Sequence, residues 1–518
     1  MKSIVSFFKK IRDVNNKSTD RRNKKELISS KLAVNLNRIK EIFVYPKNQD
    51  FKIRKISIKS ISRVGVILYL NGMVDSKKVE EHIINPLQEE PCNDEKLTNI
   101  DLINKVINVS IADEIDTFQE IKKKILDGRT VLLVDGSRKA IYMDTVGFSY
   151  RNVEKPTAET VVKGPKESFS ESTQVNRSLI RKQLRNEKLI TEIMSVGESS
   201  PLDISIMYID DIASPDLVKK IKKRVQDIKA DVVQNIAILE QHLEERPYSL
   251  VPTVLYTERP DRVAAFLQEG HVVLVDNSPA ALVLPVTFWS FFQTAEDMYQ
   301  RWAYGNFIRL IRLLALLTTL LAPAAYIAMT NFHENLLPTD LLLAITATRE
   351  NVPFPVIIEV LLMEISFELI REAGIRIPNT IGPTIGIVGA LLIGQAAVDA
   401  NVISPIIVII IALNGLSSFA IPNTSLNYMI RIMKFIFSFS AYLFGYLGIS
   451  ISLTVTLSYL ASIKSFDVPF LSPLSPYYPS SGDTIIRPPV WKQWLRPLNI
   501  YPQDKQRKEK VEGDDSND

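Results

Sequence analysis

Between Ile377 and Leu413 the chain reads IPNTIGPTIGIVGALLIGQAAVDANVISPIIVIIIAL, with Asp399 as its only charge. So long an apolar run exceeds what a soluble core uses, and two helices of about 20 residues each would cross a bilayer's hydrocarbon layer. The first would carry Gly382, Gly386, Ala390 and Gly394 at four-residue spacing, which leaves one face close to bare backbone. Lipid gains nothing from such a face, whereas a neighbouring helix or a water-filled lumen can approach it closely. The sequence therefore predicts an integral membrane protein that packs against something.

Charge is confined to the flanks, lying almost wholly before Arg312 and after Ser462. The 62 Lys and Arg outnumber the 58 Asp and Glu by only four, so no field for nucleic acid is implied. A single cysteine, Cys92, excludes an internal disulfide framework and fits a reducing compartment. The start, MKSIVSFFKKIRD, lacks the apolar core of a signal peptide, so the first 300 or so residues are expected on the cytoplasmic side. Spans are expected at 313–332, 380–398, 402–421 and 435–461. Arg301, Arg309 and Arg312 precede the first of them, which orients it from inside to outside. Four crossings return the C-terminus to the inside; Arg431 and Lys434 fit that scheme badly.

Before the hydrophobic block, strand and helix patterns alternate. SRVGVILYLNG, TVLLVDGS and KAIYMDT read as strands, and KKVEEHIINPL and FQEIKKKILDG as amphipathic helices. The pattern recurs: VILYLNGMVDSKKV aligns with ISIMYIDDIASPDLV, and FQEIKKKILDGRTVLLVDGSRKAI with PDRVAAFLQEGHVVLVDNSPAALV. Tyr69 to Asp135 spans 66 residues, and Tyr208 to Asp276 spans 68. The expected fold is a bilobed α/β cytoplasmic region followed by an all-α multi-pass transmembrane domain. Its parts are a basic tail (1–40), a first lobe (41–150), a linker (151–194), a second lobe (195–300), the transmembrane domain (301–465) and a proline-rich, then charged tail (466–518).

The candidate sites each carry two readings. Gly382, Gly386, Gly389, Ala390 and Gly394 form either a helix-packing seam, the commoner case, or a pore-facing surface. Gln395, Asp399 and Asn401 form an ordinary loop at the membrane surface, or a ring of carboxylates and amides at a cation-selecting mouth. The helix at 355–372 carries Glu359, Glu364, Glu368 and Glu372, of which the last three share a face. Carboxylates are costly against lipid, so this helix is expected in the interface or along an aqueous space. His82, His242, His271 and His333 show no metal-ligand spacing, and VDGS and VDNSP read as hairpin turns. No P-loop, GxSxG, dinucleotide fingerprint or HExxH is present, so neither an enzyme nor a cofactor is expected.

The runs SPAALVLPVTFWSFFQTAEDMYQRW, NFHENLLPTDLLLAI, RENVPFPVIIEVLLMEISFELIREAGIRIP and IVGALLIGQAAVDANVISP resemble the A subunit of the spore germination receptors, the GerA family. VVKGPKESFSESTQVNRSLIRKQLRN and PYSLVPTVLYTERPDRVAAFLQEG are of the same type, and the resemblance covers about 35–465. The chain departs from the family pattern at Asn277, where glycine is usual. The resemblance implies a spore inner-membrane protein acting with a transporter-like B subunit and a lipoprotein C subunit. It also implies a ring of A subunits that conducts ions when a nutrient germinant binds. Two alternatives stay open: a same-family paralogue working beside the dipicolinic-acid channel, and a secondary transporter with a cytosolic domain, against which the lack of a visible inverted repeat argues.

Overall fold

A computed structural model of the chain describes residues 27–89, 99–147, 155–156, 159–376, 393–478 and 483–508. They form two compact units. The first is drawn mainly from residues up to Leu282, and the second from Val283 onward with 159–165 and 240–255.

The first unit is a structural duplication. Strands β1 (Phe51–Ile58), β2 (Arg63–Leu70), β3 (Ala112–Ile115), β4 (Thr130–Val134) and β5 (Ala140–Met143) form a sheet in the order β1-β2-β4-β5-β3. Its ladders are antiparallel, with Phe51 opposite Leu70 and Val66 opposite Leu133. Because side chains alternate along a strand, Val66, Leu68, Val131 and Leu133 point to one face. There they meet helices α1 (Leu32–Ile42) and α2 (Phe118–Leu126) through Leu36, Ile39, Ile121 and Ile125. Ile67, Leu132 and Ile141 point to the other face and pack on Val79, Ile83, Leu87 and Leu102. Covering both faces is what makes β2 and β4 nearly continuous apolar runs.

The second sheet has the same order, β6-β7-β9-β10-β8, from β6 (Leu189–Val196), β7 (Leu202–Ile209), β8 (Leu255–Thr257), β9 (Val272–Val275) and β10 (Ala281–Leu284). The repeat begins earlier than the sequence reading placed it. Asn35 on α1 accepts from the Ser29 backbone N–H and donates to the Ser29 carbonyl; Asn176, on α3 (Thr173–Gln183), does the same with Ser170. The two asparagines are 141 residues apart, as are Asp135 and Asp276. Part of the expected tail and a quarter of the expected linker are thus core helices, and β6 starts at Leu189 instead of after 195. Asn277 also has a use: its side-chain oxygen accepts from the Thr173 N–H at 3.1 Å and hydroxyl at 2.6 Å, capping α3. In the first lobe the Asp135 carboxylate accepts from the Leu32 N–H at 3.2 Å at the start of α1.

The lobes are joined by buried charge. Arg181 on α3 is 3% exposed and donates to Asp50, Asn48, Thr191 and the Leu189 carbonyl, while Arg177 reaches the other oxygen of Asp50 at 2.9 Å. Asp50 is itself buried. Arg181→Ala leaves Asp50 to Arg177 alone and removes the donor from Asn48, Thr191 and the Leu189 carbonyl, and truncating one partner of a buried pair typically costs about 3–5 kcal/mol. Chemical denaturation of the purified chain should show the loss; an unchanged midpoint contradicts this account of the lobe interface.

The second unit is helical: α4 (Trp302–Phe332), α5 (Thr339–Arg349), α6 (Val356–Arg376), α7 (Pro405–Phe419) and α8 (Thr424–Ser462), with residues 393–399 also helical. Two of these, α4 and α8, contain stretches long and apolar enough to cross a membrane. The expected spans need correction. The first, 313–332, lies within a longer helix that begins at Trp302. The span expected at 402–421 is the 15-residue α7, about 22 Å long and short of a roughly 30 Å hydrocarbon layer. Most of the 380–398 span lies outside the described residues. The 435–461 span is broken at Gly445, whose φ of 59° and ψ of −140° are not helical. A Cβ on Gly448 would collide with the Ser440 carbonyl oxygen, although residues eight apart in a straight helix lie about 12 Å apart. The chain folds sharply back on itself at Gly445, and only glycine at 448 permits the approach.

The tail does not run extended after the last helix. Ser465 accepts from the Val286 N–H and donates to the Thr253 carbonyl, and Phe288 N–H donates to the Phe470 carbonyl. Further on, Asp483 receives Arg309, and the Arg487 carbonyl receives the indole of Trp302 and the amide of Asn306. The tail therefore ties the end of α8 to the start of α4. Asp297, buried just before α4, takes Arg309 Nε at 3.1 Å and Arg312 at 3.0 Å. Burial alone would push its carboxyl up, but the two guanidiniums prevail and hold it below the usual range.

Glu240, half-buried near the end of the helix Ile236–Leu243, stands one turn from Glu244. Burial and the neighbouring carboxylate push it up from 4.5 to about 7. The native state holds this proton more tightly than the unfolded chain, so stability falls as pH rises through that interval and levels off above it. Glu240→Gln should therefore raise stability by about 1–3 kcal/mol at pH 8 and leave it unchanged at pH 4.5. Melting curves at the two pH values check this, and an equal effect at both contradicts it.

Candidate functional site

The acidic helix α6 is the site's backbone, and its carboxylates do not form the solvated face that the sequence suggested. Glu359 and Glu364 are 0% and 3% exposed. Glu364 is paired with Lys434 of α8 and accepts from the Asn414 amide of α7. Glu368 accepts from Arg431 Nε at 3.1 Å and from Lys434 at 3.0 Å. Glu359 accepts from the Ser404 N–H at 2.8 Å, at the start of α7, and faces Arg349 Nε at 3.4 Å. Glu372 is exposed. Three helices, α5, α7 and α8, thus supply the partners of one.

The spacing explains the match. Glu364 and Glu368 are neighbours one turn apart on α6, and Arg431 and Lys434 are neighbours at three residues on α8, so two short charged rows can align. Arg371 completes the region, donating to Ser418 at 2.6 Å and lying over the Phe419 ring at 4.7 Å. Three carboxylates (Glu359, Glu364, Glu368) face four cations (Arg349, Arg371, Arg431, Lys434), so no spare negative charge is left on this face. Arg431 and Lys434, which fitted the four-span scheme badly, are what the acidic helix required. The signal was legible as charge complementarity between two helices, a relation that reading one helix at a time misses.

Of the glycine-rich set, Gly382, Gly386, Gly389 and Ala390 lie outside the described residues. Gly394 is buried, and a Cβ there would meet Val408 of α7 at 3.3 Å, which is a packing contact. Gly415 of α7 is tighter still, with Phe367 of α6 at 2.8 Å from the same position. Gln395, Asp399 and Asn401 are not drawn into the ionic cluster. Asp399 is exposed and receives the Gln395 amide at 3.4 Å. Asn401 has φ of 54°, and Val402 N–H donates to the Ala397 carbonyl at 2.9 Å, so Asn401 is the left-handed residue that ends a helix. Among the described residues no group of His, Cys, Asp and Glu could hold a metal ion.

Gly415→Leu drives a side chain into Phe367, and overpacking of this kind typically costs about 1–3 kcal/mol. Thermal unfolding of the purified chain should register it, with Gly374→Leu, where no neighbour lies within 4 Å, as the neutral comparison. Equal melting points for the two variants would contradict the close approach of α6 and α7.

Residues 37–499 match the family described as Bacillus/Clostridium GerA spore germination protein. Spore germination protein KA of Bacillus subtilis (strain 168) is 36% identical over 492 residues, covering 93% of this chain and 89% of that one. Spore germination protein A1 of the same organism is 37% identical over 468 residues, covering 90% and 95%. The uncharacterized membrane protein YfkQ, also from that organism, is 37% identical over 435 residues, covering 84% and 85%. The crystal structure of the N-terminal domain of the A subunit of the Bacillus megaterium spore germinant receptor GerK3 is 26% identical, with a TM-score of 0.40, and covers 51% of this chain and 99% of that chain.

Proposed function

The chain belongs to the Bacillus/Clostridium GerA spore germination family, and from that premise we propose that it is the A subunit of a germinant receptor. The observation that carries this reading is a match running unbroken through both units, from residue 37 to residue 499. A transporter-like B subunit and a lipoprotein C subunit are the partners the resemblance implies.

In this reading the chain is a multi-pass protein of the spore inner membrane that enters and leaves the bilayer on one side. The tail's hydrogen bonds support it, because residues 465–487 grip residues 286–312 and so hold the end of α8 beside the start of α4. At the far end His333, just past α4, packs on Tyr446 beside the Gly445 bend, with ring centroids 5.1 Å apart. With Cys92 replaced by serine, Arg301→Cys and Ser475→Cys should react with a membrane-impermeant thiol reagent from the same side, and Glu334→Cys only from the other. Labelling of all three from one side overturns this topology.

Copies of the chain then associate around a conducting path lined by the 380–401 segment, and germinant binding opens it to cations. The exposed Asp399 is a negative group placed to act, since Glu359, Glu364 and Glu368 of α6 are already compensated. Two unit charges about 4 Å apart interact by roughly 4 kcal/mol at an effective dielectric near 20 and by only about 1 in water. A ring of such aspartates therefore concentrates cations only in a narrow lumen. In spores lacking other receptors, Asp399→Lys should cut germinant-triggered cation release at unchanged protein level, with Asp399→Asn milder. Release at the parent rate in the lysine variant makes Asp399 a surface-loop residue.

A further inference from the structure

Helix α6 has an outer face opposite in character to its ionic one. From Val356 to Ile370 its exposed residues are Ile358, Leu362, Ile365 and Leu369, at 39–66%, and all four are aliphatic. Their spacing of four, three and four residues places them on one stripe. The carboxylates of that stretch are turned inward onto cations, and the Ser366 hydroxyl is engaged by the Leu362 carbonyl at 2.8 Å. After the stripe the first exposed charge is Glu372. The exposed residues of α7 are likewise apolar, Ile409, Leu413 and Leu416 among them, so the uncharged surface extends beyond one helix. At 21 residues α6 is about 31 Å long, the thickness of a roughly 30 Å hydrocarbon layer.

The ion pairs fix its direction. Glu368 meets Arg431 and Glu364 meets Lys434, so α6 runs antiparallel to the first half of α8. That half leads to the bend at Gly445, where His333 at the end of α4 packs on Tyr446. Helix α6 therefore starts at the His333 end and runs toward the end where Arg301 opens α4.

We propose, resting on the membrane topology proposed above, that α6 itself crosses the bilayer from the His333 side to the Arg301 side, with Ile358, Leu362, Ile365 and Leu369 against lipid acyl chains. The charges that bar this helix from lipid on sequence grounds are spent on its protein-facing side, which removes the objection. Arg371 and Arg376 then lie toward the side of Arg301, as positive flanks should. The crossing count also closes. One crossing added to the four expected would leave the tail on the far side, and the fold-back at Gly445, by making the last span an out-and-back pair, returns it.

The test uses the full chain with Cys92→Ser, reconstituted in vesicles of phosphatidylcholine and phosphatidylglycerol, with a spin-labelled cysteine at 358, 362, 365 or 369 in turn. Oxygen should relax each label more than a water-soluble nickel chelate does, and the label at 358 should sit about 10 Å shallower than that at 365. Nickel prevailing over oxygen means an aqueous face, and shielding from both means a protein partner such as a second copy. Equal depth at all four positions means a helix lying in the interface. Each of these overturns the proposal. An impermeant thiol reagent should reach Asn351→Cys from the side of Glu334→Cys, and Ala373→Cys from the side of Arg301→Cys. Ala373→Cys reacting with Glu334→Cys, while Arg301→Cys reacts from the other side, overturns the α6 crossing alone. Arg301→Cys and Glu334→Cys reacting from one side overturns the underlying topology and the crossing with it.

Discussion

Burying a carboxylate among apolar helices costs several kcal/mol unless a cation meets it, and the helical unit is arranged around meeting that requirement. Glu364 and Glu368 determine where α8 lies against α6, because Lys434 must reach both and Arg431 the second. Asn414 fixes α7 against the same pair, and Glu359 holds the start of α7 through the Ser404 N–H. The close contact of Gly415 with Phe367 is possible only in that arrangement. Charge placement and small-residue packing are thus two aspects of one constraint.

The same device recurs elsewhere in the chain. Asp50 between the lobes takes two arginines from α3, and Asp297 before α4 takes Arg309 and Arg312. Each is a buried acid clamped by two guanidiniums, and each sits where one segment must be held against another. Removing a single partner in such a site is far more damaging than never having had the pair, so these positions act as registration points more than as net sources of stability. Arg309 and Arg312, which the sequence offers as a positive flank for the first span, are spent inside the fold in this way.

Local pattern carried much of the fold. The strands at SRVGVILYLNG and TVLLVDGS, the capped helix at FQEIKKKILDG and the lobe duplication were legible because periodicity and turn residues are local properties. The start of the repeat was not, since α1 and α3 look like basic surface helices until Asn35 and Asn176 are seen bridging to their loops. The bend at Gly445 was hidden for a related reason: in an apolar stretch a lone glycine signals nothing unless its φ is known. For the site, hydrophobicity identified α6 as a helix too acidic for lipid. Its solution lies 63 to 70 residues downstream on α8, and single-helix reasoning has no means to pair them.

Glu364 and Lys434 form a buried pair on which the placement of α8 against α6 depends. Thermal unfolding of the full chain as Lys434→Met, Glu364→Leu and both together tests it most directly. Lys434→Met should destabilise by about 3–5 kcal/mol through the Glu364 charge it strands, Glu364→Leu should cost less because Lys434 keeps Glu368, and the double change, leaving Glu368 with Arg431, should recover most of the larger loss. Single variants that melt with the parent, or a double variant whose loss is the plain sum of the two, would mean that these groups are solvated and that α6 and α8 are not registered by charge.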